Sequence, residues 1–344
     1  MLPHSGSFLL STFEEPAADF DNRLSEPCRD YLQRTRSFPC KSTIHNRQCI
    51  HIYPYANSFC TALRHVVKYP HQTPPGNDVR KLILEPEELA NLVETRDILL
   101  VDLSQPGNYA QAHIEGALHV HPSELIAGIK PAVGKLPGNE QLNRLFSRIG
   151  YRPEQQIVAY DDEGGGWAGR FIWTLDIIGH QHSAYLNGGI HAWVASGLPT
   201  TDIIPNPTPN PTEVTIDTRF IASKDEVLAS LDDPDSIIWD ARTAQEYTGA
   251  KVVAARGGRI PGAVNLEWTG AMDPDRQLRI RSDIVELLNS LGLSADKKII
   301  THCQTHHRSG FTYLVGKSLG YQIRAYDGSW SEWGNDPDTP VEVG

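Results

Sequence analysis

The sequence predicts an α/β protein made of two similar domains, each a parallel sheet flanked by helices on both faces. Three observations carry this reading. From about residue 78, short apolar runs of buried-strand type alternate with stretches of helical periodicity. Landmarks of the first half return in the second at nearly one offset. A proline-rich connector, "GLPTTDIIPNPTPNPTEV" at 197–214, lies between the halves. Alternating strands and helices imply parallel pairing, because each parallel connection needs a crossover and the crossovers cover the sheet.

Taken in order, "DILLVDL" (97–103) and "QIVAYD" (156–161) are strands of the first copy. Between them "NEQLNRLFSRIG" (139–150) is a helix, with Asn139 as its cap, Leu142, Leu145, Phe146 and Ile149 on one face, and Gly150 as its stop. In the second copy "SKDEVLASL" (223–231) opens with Ser223 and Glu226 at capping-box spacing. The helix "SDIVELLNSLG" (282–292) ends on Gly292, 142 positions after Gly150. "KIITHC" repeats "QIVAYD" at the same offset, which sets Cys303 opposite Asp161. Asp102 and Tyr109 pair with Asp240 and Tyr247, and "HIEGA" (113–117) pairs with "RIPGA" (259–263) after an eight-residue insertion. Repeats of this length are copies of a domain rather than turns of a solenoid. The expected boundaries are 78–198 for the first domain, 199–212 for a stiff surface linker, and 213–344 for the second domain.

Residues 1–77 are unlike the rest. Residues 1–30 are acidic and weakly periodic, and 31–77 contain no Asp or Glu but many Arg, His, Ser and Pro. A disordered tail without a catalytic role is expected there, or a stretch ahead of a later true start near Val79. The formal net charge of −11 argues against a general nucleic-acid binder, which needs a basic face. No apolar run approaches the roughly 18–20 residues of a membrane span. No basic region followed by an apolar one marks a signal peptide, so a cytoplasmic protein without membrane partners is expected. Of the cysteines, Cys28, Cys40, Cys49 and Cys60 lie in the first 60 residues, at spacings that fit no zinc pattern. Cys303 has no partner in the body of the chain, so a reduced thiol is expected.

That thiol sits in "THCQTHHRSG" (301–310), at the carboxyl end of a buried strand and ahead of the helix "FTYLVGKSLG" (311–320). Open α/β sheets bind ligands at this end of their strands. A strand–loop–helix corner also aims backbone N–H groups at whatever occupies it. An anionic sulfur is stabilised there, and Arg308 adds a permanent charge, joined by His306 and His307 when protonated. A buried, inert cysteine is the usual alternative, but six polar residues follow this one. An arginine at a helix start is electrostatically misplaced unless an anion lies near. Trp268, after the "GAVNLEW" run, is placed to wall the pocket. The first copy has "YDDEGGGWAGR" (160–170) here, with Asp161 instead of the thiol and three acids that would repel an anion. Its domain is expected to be catalytically silent.

The Asp-led segments "VDLSQPGNYAQAHIEGA" and "WDARTAQEYTGAKVVAARGGRIPGA", the tryptophan segment "YLNGGIHAWVASGLP" and the loop "CQTHHR" (303–308) together resemble the tandem-domain rhodaneses, thiosulfate:cyanide sulfurtransferases. The resemblance covers residues ~78–344, and the loop is similar to that of a bacterial subgroup. It implies that Cys303 takes the outer sulfur of thiosulfate as a persulfide, expels sulfite, and passes the sulfur to a thiophilic acceptor such as cyanide. It implies substrate contacts from Gln304, Thr305, His306, His307, Arg308 and Trp268, with Arg308 on the sulfonate end, and neither metal nor cofactor. A monomer is expected, since two domains can cover each other. The sequence departs from the vertebrate thiosulfate enzymes at Gln304 and Thr305, where those carry basic residues, and at Glu246, where those carry arginine. 3-Mercaptopyruvate as donor is the nearest alternative. A phosphatase of the same fold, an arsenate reductase or a non-enzymatic sulfur sensor are further ones. Only four residues separate Cys303 from Arg308, a tighter loop than phosphate requires.

Overall fold

The computed structural model describes residues 81–344, so the expectations for 1–77 lie outside the described residues. The first domain runs β1 (Ile83–Leu84), α1 (Pro86–Thr95), β2 (Ile98–Asp102), α2 (Pro106–Gln111), β3 (Leu118–His119), α3 (Asn139–Arg148), β4 (Gln156–Tyr160), α4 (Gly166–Ile177), β5 (Ser183–Leu186) and α5 (Gly189–Ala195). Its sheet is parallel, in the order β1-β5-β4-β2-β3. The second domain runs α6 (Lys224–Ser230), β6 (Ser236–Asp240), α7 (Ala244–Tyr247), β7 (Val264–Asn265), β8 (Met272–Asp273), β9 (Arg279–Ile280), α8 (Ile284–Ser290), β10 (Lys298–His302), α9 (Arg308–Ser318), β11 (Gln322–Ala325) and α10 (Ser329–Trp333).

Its main sheet is also parallel, in the order β11-β10-β6-β7. A parallel bridge from Ile221 to Ala325 stands where β1 stands in the first sheet. Asp102 is in register with Tyr160, and Asp240 with His302, so the repeated landmarks fall on equivalent strand positions. Asp161 and Cys303 directly follow the equivalent interior strands β4 and β10.

The helix termini explain themselves locally. Ser223 and Glu226 form the expected capping box of α6. In α3 the cap is Gly138, and Asn139 is the first helical residue, which corrects the expectation. Leu142, Leu145, Phe146 and Ile149 are buried as expected, and Gly150 leaves the helix at φ +68°. Helix α9 starts at Arg308 rather than Phe311, because the polar turn Arg308–Ser309–Gly310 is itself buried or half-buried.

Helices α4 and α9 are buried on nearly all sides, since each packs on its own sheet and on the other helix. Phe171, Trp173, Phe311 and Leu314 belong to one core that spans both domains. The helices meet at equivalent glycines. A Cβ on Gly169 would strike the carbonyl of Gly310, and one on Gly310 would lie 2.6 Å from the Arg170 nitrogen. The linker residues carry no helix and hold to the first domain through the Asn210 N–H, 2.9 Å from the Ser147 carbonyl, and the Asn210 side chain, 2.7 Å from that of Tyr151. Among the described residues, no helix is long and apolar enough to cross a membrane.

Candidate active site

The loop of the first domain, which carries no thiol, shows what this turn is built to hold. Asp161 follows β4, fully buried, and its Oδ1 accepts the N–H groups of Glu163 (3.2 Å), Gly164 (3.1 Å) and Gly165 (2.8 Å). Its Oδ2 accepts the N–H of Ala168 at 3.0 Å. Burial and the nearby Glu163 charge push the Asp161 carboxyl up to about 7, against the pull of those N–H groups. The turn is therefore a concave row of donors closing on one anionic group.

Cys303 occupies the same place after β10. It is 1% exposed, and its own N–H donates to Ser329 Oγ at 3.3 Å. Among the described residues no carbonyl accepts the N–H groups of Gln304, Thr305, His306 or His307. His306 takes φ +55° at the position where the first loop has Gly164 at +95°, so the second turn bends its backbone the same way without a glycine. Burial pushes the Cys303 thiol up. The Arg308 charge, the hydroxyl and N–H of Ser309, and the His307 charge outweigh it and bring the thiol below its ordinary value. Water exclusion is what makes these few groups effective.

Arg308 and His307 are each held by a carboxylate. Arg308 lies across Glu246, Nη1 to Oε2 at 2.7 Å and Nη2 to Oε1 at 3.0 Å. Burial pushes Glu246 up, but the Arg308 guanidinium and the Thr243 cap override it and take it down to about 2. His307 Nε2 bonds Glu163 Oε1, which comes from the first domain. Its ring stacks on Trp167, with centroids 4.4 Å apart at 25°, and Trp268 stands 5.5 Å away on another side. Trp268 thus borders the loop. Gln304 is half-buried, and its Nε2 donates to the Val253 carbonyl at 3.3 Å, tying the loop to the eight-residue insertion. Thr305 lies against the first domain, where a Cβ on Gly134 would collide with its carbonyl.

His306 does not meet the expectation of a charged pocket-wall residue. It is fully buried, edge-on to Trp173 at 4.5 Å, with Nδ1 2.7 Å from Ser309 Oγ. Burial and the Arg170 and His307 charges hold it well below the usual histidine range, so it is neutral near pH 7. The acids of the first loop do not form a repelling patch either. Asp161 points into its own turn, Asp162 accepts the Gln105 N–H at 3.1 Å and the Asn108 amide, and Glu163 pairs with His307.

Five residues escaped the sequence reading as members of the site: Ser309, Glu246 as partner of Arg308, and Glu163, Trp167 and Arg170 from the first domain. Thr243 and Glu246 stand at capping-box spacing, a signal that could have placed Glu246 at the start of a helix beside the loop. Arg170 is buried behind the loop, with Nη2 2.8 Å from the Leu125 carbonyl and Nη1 3.4 Å from that of His306.

A strand, a donor-lined turn and a helix, present twice, with a thiol in the second turn only, define a tandem rhodanese architecture. The chain belongs to that family: the family model described as "Rhodanese-like domain" matches residues 85–196 and 223–336. Among curated relatives, the thiosulfate sulfurtransferase of Azotobacter vinelandii is 53% identical over 263 residues, covering 76% of this chain and 97% of that protein. The protein of the same name from Pseudomonas aeruginosa is 52% identical with the same coverage. The sulfur carrier protein TtuD of Thermus thermophilus is 31% identical over 275 residues, covering 76% of this chain and 93% of that one. Among solved structures, YnjE superposes with a TM-score of 0.69 at 21% identity, covering 76% of this chain and 68% of that one, a likeness of fold.

Proposed function

We propose that this chain is a thiosulfate sulfurtransferase in which Cys303 carries the sulfur. The observation that carries the reading is the repeated turn: Cys303 follows β10 as Asp161 follows β4, and the Ser309 N–H and hydroxyl bond its sulfur where the Ala168 N–H bonds Asp161. The Cys303 thiolate attacks the outer sulfur of thiosulfate. A new S–S bond forms, the old one breaks, and sulfite leaves with its electron pair. The persulfide anion takes the place of the carboxylate in the donor ring. Cyanide, or another thiophile, then attacks the terminal sulfur, and the Cys303 thiolate is the leaving group. Each step is a displacement at sulfur between anions, so no proton needs to move in it.

Arg308 acts through its charge beside the sulfur, since its two Nη groups are taken by Glu246. Gln304 and Thr305 set the floor of the turn with their backbone, and Trp268 lines its mouth. We read the protein as a cytoplasmic monomer, because a catalytic free thiol needs a reducing compartment and each domain already covers the other's loop. Steady-state rates at varied thiosulfate and cyanide test the mechanism. Parallel double-reciprocal lines are expected, and Cys303→Ser should lower thiocyanate formation by at least about a thousandfold. Intersecting lines, or a serine variant with most of the rate, would refute it.

A further inference from the structure

The first domain lacks the nucleophile, yet it grips the second domain's loop at one point with three separate features. Glu163 bonds His307 Nε2 across the interface, and the side chains are 28% and 22% exposed. Trp167, at the start of α4, stacks on the same imidazole. Gly166 leaves the space for both: a Cβ there would lie 2.6 Å from Glu163 Oε1 and 2.6 Å from His307 Nε2. The clamp is fixed at its base, because Glu163 gives its own N–H to Asp161. Asp161, with its four N–H bonds, is thus the anchor that sets where Glu163 points.

The clamp leaves His307 as the side chain best placed to meet the donor. Arg308 is bound on both Nη groups by Glu246, and His306 is turned inward onto Ser309. His307 has one nitrogen on Glu163, while Nδ1 has no hydrogen bond among the described residues. The ring is held on one face by Trp167 and bordered by Trp268. A ring fixed this way presents Nδ1–H, when protonated, in one direction at little entropic cost on binding.

We propose that Glu163 and Trp167 of the silent domain position His307 so that its Nδ1 side receives the anionic, sulfonate end of the sulfur donor. Glu163 is a positioning residue, and its effect reaches the donor through His307. This rests on Cys303 being the sulfur-bearing nucleophile, and it adds a half-site from the first domain to that reading. The clamp serves loading only. Once sulfite has left, discharge of the persulfide to a small acceptor does not use it.

The test is the thiosulfate KM and kcat of the full chain as wild type, Glu163→Ala, Gly166→Ala, His307→Ala and the Glu163→Ala/His307→Ala pair, at saturating cyanide. Glu163→Ala and Gly166→Ala are each expected to raise KM by about tenfold with kcat within about twofold, and His307→Ala to raise KM at least as much. The double variant should be no worse than His307→Ala alone, since both changes remove one unit. Protein preloaded with sulfur should discharge to cyanide at the wild-type rate in the Glu163→Ala and Gly166→Ala variants, which keep the His307 imidazole beside Cys303. Gly166→Ala displaces the pair without removing a charge, and keeps the test open where Glu163→Ala does not fold. A wild-type KM in the Glu163 and Gly166 variants, multiplicative effects in the double variant, or an equal loss in discharge would overturn the proposal. Failure of the underlying reading looks different: the wild-type protein would then take up no sulfur on Cys303.

Discussion

Glu246 closes the first turn of α7 and grips Arg308 with the same carboxylate: Oε2 accepts from the Thr243 hydroxyl at 3.0 Å and from Arg308 Nη1 at 2.7 Å. Its folded pKa of about 2 lies below the ordinary 4.5, so folding favours the charged form. That contribution is complete above about pH 4.5 and is lost as pH falls toward 2. Wild type should therefore exceed Glu246→Gln in urea midpoint at pH 7, with the gap closing between about pH 4.5 and 2. A gap unchanged across that window would show that the pair contributes nothing through charge. The sequence showed Cys303, Arg308 and the capping spacing directly, because each is a local pattern. It could not separate His306 from His307. They are adjacent and alike, and what divides them is one positive φ at His306, which turns that ring into the interface. Glu163 was invisible as a partner of His307, since nothing local joins residues of different domains.

The contact between α4 and α9 is the element that makes two domains one active unit. Both helices carry the site at their first turns: Gly166 and Trp167 on one, Arg308 and Ser309 on the other. Their backbones meet at Gly169 and Gly310. In an isolated helix Gly→Ala stabilises by up to about 1 kcal/mol, but here the new Cβ meets backbone that cannot turn aside. Overpacking of about 1–3 kcal/mol should win. Gly169→Ala is expected to lower the urea midpoint with an unchanged slope and to weaken thiosulfate turnover, because the crossing sets the spacing of the two loops. A midpoint at or above wild type would mean that the helices can shift apart freely. The strands and α3 were legible from their patterns. α9 was legible only from Phe311 onward, since its first turn is polar in sequence and buried through contacts with the other domain.

For the whole molecule, duplication explains the division of labour. One copy carries a carboxyl in its turn and the other a thiol, and the equivalent loops lie at the carboxyl ends of equivalent strands. The first copy parallels the loaded state: a carboxyl fills the turn where a persulfide would sit in the second copy. Its loop also leans on the other through Glu163 and Trp167. The repeat itself was readable from offsets in the chain. Its consequence, that the first domain's loop helps to build the loop of Cys303, needed the two loops to be seen face to face. The measurement that bears most directly on the central claim is the intact mass of the full chain after thiosulfate, before and after cyanide, beside Cys303→Ser. The account predicts a gain of one sulfur atom on the wild-type protein, its removal by cyanide, and no gain on the variant. An unchanged wild-type mass, or an equal gain on Cys303→Ser, would contradict it.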